Sequence, residues 1–204
     1  MDAIGNVLEL IRRQLNTYFQ NMDRRTDDWV ILSNVVDNAG ELNATAENKV
    51  VMSLASIAHE TVISTYTAAV KTKTSSYAAV TPPLYIDLYI VFYANFVNRN
   101  YLQGLKMISR TISFFQQNPA FTRDTLPALD PGIDRIVLEF TNLDMVQVNY
   151  LMGMMGVKYL PSVFYKLRMI PFTSGAMQAE IPAAQGTEAP GEPAPLPPKA
   201  GGVR

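Results

Sequence analysis

Apolar and polar positions alternate strictly from Pro82 to Phe96. Leu84, Ile86, Leu88, Ile90 and Phe92 share one face, and Tyr85, Asp87, Tyr89, Val91 and Tyr93 share the other. A period of two predicts a β-strand. Its first face suits a core. The second, a ladder of tyrosines with one acid, suits either contact with another protein or a second layer of the same domain. Before it, Ile4, Val7, Leu8, Ile11, Leu15, Tyr18 and Phe19 recur at helical spacing and predict an amphipathic helix over residues 3 to about 20, with Asp2 as a cap. Trp29–Val36 reads as a strand, 37–40 as a turn, and Glu47 to about Ile63 as a second long strand. In that strand Val50, Met52 and Leu54 oppose Val51, Ser53, Ala55, Ile57 and His59. Residues 64–81 break the pattern and predict a loop.

After the alternating run, Asn98 is placed to cap a helix from about Arg99 to Gln117, with Leu102, Leu105, Ile108, Ile112 and Phe115 toward the core and Asn118-Pro119 as its end. A Pro-rich connection leads to a strand at about 133–141, where Ile136, Leu138 and Phe140 alternate with Arg135, Val137 and Glu139. Asp144 and Gln147 form a capping-box pattern ahead of a short helix, Met145–Met155, and Gly156 suits its left-handed stop. A last strand covers about 162–170, with Val163, Tyr165, Leu167 and Met169 on one face and Lys166 and Arg168 on the other. Beyond Phe172 the composition shifts to Ala, Pro, Gly and Glu, and six prolines fall between Pro182 and Pro198. Such a tail buries too little apolar surface to offset the entropy of ordering it. The expected architecture is an α+β two-layer domain over residues 1–173, a mixed or antiparallel sheet packed by helices, with a disordered Pro/Ala/Gly-rich tail over 174–204.

Charge changes this picture little. There are 17 basic and 18 acidic residues, and setting aside Glu180, Glu188, Glu192, Lys199 and Arg204 leaves a neutral body. Nucleic-acid binding announces itself as a basic excess, and none is present. The pairs Arg12-Arg13 and Arg24-Arg25 read as solvated helix ends. The chain has no cysteine, so cysteine-based zinc and iron–sulfur sites and disulfides are excluded. The N-terminus lacks a signal-peptide pattern and no apolar run approaches a membrane span, so the expectation is a soluble cytoplasmic protein without membrane partners.

Candidate chemistry is sparse. His59 is the sole histidine, and Glu60 points to the opposite face of its strand. Asp23, Asp27 and Asp28 lack the spacing and glycine of a calcium loop. No phosphate-binding loop, dinucleotide fingerprint or nucleophile elbow occurs. The expectation is a structural protein with no catalytic residues, cofactor, metal or small-molecule substrate. Met145, Val148, Met152 and Met155 follow helical spacing toward a core, which leaves Met154 exposed. The candidate protein-contact residues are Tyr85, Asp87, Tyr89 and Tyr93 on the tyrosine face, Lys71 and Lys73 in the loop, Met154, Lys166 and Arg168.

Five local signatures, in order along the chain, point to a family. They are the runs Glu47–Leu54, Pro83–Tyr89, Ala94–Phe96, Phe114–Thr122 and Lys158–Met169. With them the chain resembles the cap, or tube-terminator, proteins of extracellular contractile injection systems, phage-tail-like particles such as antifeeding prophages and Photorhabdus virulence cassettes. The resemblance spans about residues 2–172. It implies a ring, six-fold by analogy, that ends the inner tube and engages the last sheath ring, assembled in the cytoplasm and then carried in the particle. It also leaves a second reading, an assembly chaperone that holds tube subunits and departs before maturity. A third, an enzyme using His59 and a nearby carboxylate, draws nothing from the resemblance.

Overall fold

The computed structural model describes residues 2–24, 26–37, 39–60, 69–71, 77–80, 84–172 and 177–181. Contacts divide the chain into two compact units, Met1–Tyr66 with Pro82–Ser174, and Thr67–Thr81 with Gly175–Arg204.

The first unit begins with α1 (Ala3–Asp23), whose Val7, Leu8, Ile11, Leu15 and Phe19 are buried along one stripe. Asp2 makes no side-chain cap, and the helix stops at Arg24 in the left-handed region, φ 52°, where the Arg24 amide donates to the Gln20 carbonyl. Strand β1 (Val30–Leu32) is shorter than the expected Trp29–Val36. Buried Asn16 of α1 holds it in place: its Oδ1 accepts from the Trp29 and Val30 amides, each at 2.8 Å, and its Nδ2 donates to the Val30 carbonyl at 2.8 Å. Strand β2 (Lys49–His59) follows. The second unit holds β3 (Ala69–Lys71), β4 (Tyr77–Val80) and, at its far end, β9. The first unit resumes with β5 (Leu84–Asn95), α2 (Tyr101–Gln117), β6 (Ala120–Thr122), β7 (Arg135–Phe140), α3 (Met145–Met154) and β8 (Ser162–Phe172). Strand β9 (Met177–Ile181) closes the order.

The sheet of the first unit runs β1-β2-β5-β8-β7-β6, parallel between β1 and β2 and antiparallel in its other pairs. Helices α1 and α2 supply residues to the main core on one face, with Val50, Met52, Leu88, Ile90, Phe92, Tyr165 and Leu167. A smaller cluster on the other face unites Val35, Ala46, Val51, Val91, Tyr93 and Met152. The α+β class expected from the pattern is the one observed.

Two bulges shift the alternation. One lies between Leu54 and Ser56 and sets Ile57 opposite Leu88 and His59 opposite Ile86, so both move to the helix-side face rather than the face of Val51. The other falls where Ile86–Leu88 meets Leu167–Ile170, and it brings Ile170, three positions after Leu167, into the core where the alternation expected Met169. Helix α2 is also rotated from expectation. Its buried residues are Gly104, Met107, Thr111, Phe114 and Phe115, while Leu102, Leu105 and Ile112 are exposed. Gly104 explains the phase: a Cβ there would lie 3.1 Å from the Phe96 Cβ, so the helix approaches the sheet on its glycine side. The helix is entered through a 3-10 turn at Asn98–Asn100, and Asn100 at its N-cap makes no side-chain cap.

The second unit contains a three-stranded sheet, β3-β4-β9, antiparallel throughout. Two of its strands lie in the segment expected to be a loop, and Met177–Ile181 lies in the segment expected to be disordered; residues 182–204 are outside the described residues. Local β pairing of short Ala/Val-rich stretches gave no long alternation to read. Among the described residues, no helix is long and apolar enough to cross a membrane.

Candidate interaction surface

The face of the sheet opposite α1 and α2 has two halves. Toward Val91 and Tyr93 it is covered by α3. The Asp144 side chain accepts from the Gln147 amide at 2.8 Å and the Gln147 side chain accepts from the Asp144 amide at 2.9 Å, a capping box as the sequence predicts. At the other end Gly156 takes φ 68°, the left-handed stop. The helix carries no charge and its apolar residues fall on several sides, so burying Met152 leaves Met145, Val146, Tyr150 and Met154 exposed, with Tyr159 just beyond. Met154 is exposed as expected; Met145, expected toward the core, is 76% exposed. Between α3 and the sheet lies an apolar cleft of about 310 Å³, lined by Ala55, Tyr89, Leu143, Tyr150, Leu151 and Phe164 among others.

The other half of this face is charged. Lys166 Nζ pairs with buried Asp87 at 2.8 Å and lies 5.9 Å from the Tyr89 ring centroid. Arg168 bridges buried Glu60 at 2.5 Å and surface Glu139 at 2.9 Å. The hydrogen bond to Asp87 holds the Lys166 ammonium above its ordinary range, and bonds to Glu139 and then Glu60 do the same for Arg168. The two cations, each 25% exposed, neutralise the nearly buried carboxylates of Asp87 and Glu60, and Arg168 also reaches the half-exposed Glu139.

The nine expected contact residues therefore separate. Tyr93 is fully buried, and burial pushes its hydroxyl up to about 12. Asp87 is 1% exposed. Both are covered by the chain itself, because the tyrosine face of β5 is the floor of the α3 layer and of the ion-pair network; neither offers a surface. Tyr85 and Tyr89 are half-buried, and Lys166 and Arg168 reach the surface but are engaged within the sheet. Met154 lies on the exposed side of α3. Lys71 belongs to β3, and Lys73 lies outside the described residues. Sequence reading missed a further surface, the α2 stripe of Tyr101, Leu102, Leu105 and Ile112. Its signal was present: α2 has apolar residues at helical spacing on two sides. His59 is exposed at the end of β2, while Glu60 is turned into its bonds with Arg168.

The five signatures meet in the fold. Asn48, at φ 55°, accepts at its Oδ1 from Asn100 Nδ2 at 3.0 Å, and its amide donates to the Asn95 carbonyl at 2.8 Å. Asn95 Nδ2 donates to the Ala46 carbonyl at 2.9 Å. Phe115 stacks near Tyr165 at 4.7 Å between ring centroids, Phe114 at 5.0 Å and Phe92 at 5.3 Å. The motifs form joints of the sheet and core. The Pvc16 N-terminal domain matches residues 6–185. The chain belongs to that family. Among solved structures, the chain is similar to the sheath/tube terminator of an extracellular contractile injection system, PVC, in its extended state, with TM-score 0.57 and 11% identity over 87% of this chain and 62% of that one. It is also similar to the tube-terminating cap of the anti-feeding prophage, with TM-score 0.52 and 11% identity over 86% of this chain and 60% of that one. At this identity the likeness is one of fold. The chain spans about three-fifths of the length of each. A comparison with curated proteins gave no match.

Proposed function

We propose that this protein is a non-enzymatic cap: it forms a ring, six-fold as in the resemblance, that ends the inner tube of a contractile injection particle and engages the last sheath ring. The family match over most of the chain carries the reading, and the likeness to two terminator structures supports it. The surface chemistry agrees. A ring of identical subunits needs two different patches that meet head to tail, and a tube end needs a surface that does not copy the one it covers. Here α2 and α3 expose separate apolar patches from elements packed on opposite faces of one sheet. Together with the α3 cleft they provide contact area without a catalytic constellation. The same patches would serve a chaperone for tube subunits, the second reading.

Removing the gene tests the proposal. Particles from the deletion strain should have uncapped tubes of irregular length. Uniform, normally ended particles would contradict it. Mass spectrometry of mature particles separates the readings, since a cap stays and a chaperone is absent.

A further inference from the structure

Among the described residues, the far end of β2 is an open sheet edge. Strand β1 pairs with β2 only from Val50 to Met52, and the chain then leaves the sheet, whereas β5 pairs with β2 as far as His59. The backbone directions follow from three bonds. The Val50 amide donates to the Trp29 carbonyl at 2.8 Å and the Ser33 amide to the Met52 carbonyl at 3.1 Å, both toward β1; the Glu60 amide donates to the Tyr85 carbonyl at 2.9 Å, toward β5. Alternate residues of a strand turn their N–H and C=O to the same side. Leu54, in step with Val50 and Met52, therefore faces outward, and so do Ile57 and His59, out of step with Glu60. No described residue pairs with this edge beyond Ser53. Proteins usually block such edges with charge or proline. Val50–Ala58 contains neither, and the bulge at Ala55 turns Ile57 to the helix-side face, where it is 50% exposed. The edge also adjoins the apolar cleft, which Ala55 and Ser56 line.

We infer that Leu54–His59 is a strand-addition site for an extended, uncharged segment of a different protein of the particle, with an apolar side chain packed on Ile57. The uncharged edge matches an uncharged strand. A second copy fits poorly: of the chain's other long strands, β5 is paired on both edges and β8 on both over Tyr165–Arg168, and β2 against β2 would close as a two-fold dimer rather than a ring. The inference rests on the cap reading, because it needs the chain to sit in an assembly.

Hydrogen–deuterium exchange on the free protein and on purified particles tests it. The Leu54, Ile57 and His59 amides should exchange freely in the free protein and slow on the order of 100-fold in the particle, while the Ser56 and Ala58 amides are protected in both. Ile57→Lys, at a half-exposed position, should fold with stability within about 0.5 kcal/mol of the parent and fail to enter particles, whereas Ile57→Val should enter normally. Equal exchange in both states, with the chain present in the particle, overturns this inference and leaves the cap reading standing. A free protein that is dimeric with these amides already protected overturns it in favour of a second copy. A particle that lacks the chain removes both.

Discussion

Asn16 shows how one residue sets the position of an edge strand. Its amide uses both ends on the backbone of Trp29 and Val30, inside the core. Asn16→Ala would leave two amides and a carbonyl without that partner, at about 1–3 kcal/mol for each group that stays buried and unpaired. Urea unfolding should show a lower midpoint with an unchanged slope, and an unchanged midpoint would show that β1 is held by other means. Nothing in the spacing of α1 singles out this residue, since a lone polar side chain within a helix reads as solvent-facing. Tyr93 is the converse case. Alternation correctly placed it opposite Phe92 but left open what lay over it, because periodicity reports a face and not its cover.

At the scale of elements, the sequence was most legible where a local rule had no competitor. The capping box of Asp144 and Gln147 and the left-handed Gly156 stand where the motif put them. Asp144→Ala should lower stability by about 1 kcal/mol, read as a reduced melting temperature; no change would mean that α3 is held by packing alone. Helix α2 was misread because two apolar stripes compete for the core, and a glycine contact with Phe96 decides between them. The strand faces went wrong only past bulges, as at Ile57 and Ile170, where one extra residue inverts every later side chain. The five signatures were legible as a family mark, and within them Asn48, Asn95, Phe114, Phe115 and Tyr165 form joints and core rings. The exposed apolar sets on α2 and α3 were the part of the surface least visible beforehand, because an exposed leucine and a buried one look alike in sequence.

The first unit joins a packed sheet to exposed apolar surfaces on both of its sides and to an edge of β2 that no described residue pairs. Contiguous exposed apolar patches mark sites of contact with other molecules. Their arrangement suits a subunit whose free energy is completed by neighbours, and a terminator is one whose outward side no further tube subunit can use. Cryo-electron microscopy of purified particles, with this chain located in the map, tests that claim most directly. The account predicts a closed ring of this protein at one end of the tube, seated between tube and sheath. Density for the chain along the shaft or at the baseplate, or a particle whose tube end is closed by another protein, would contradict it.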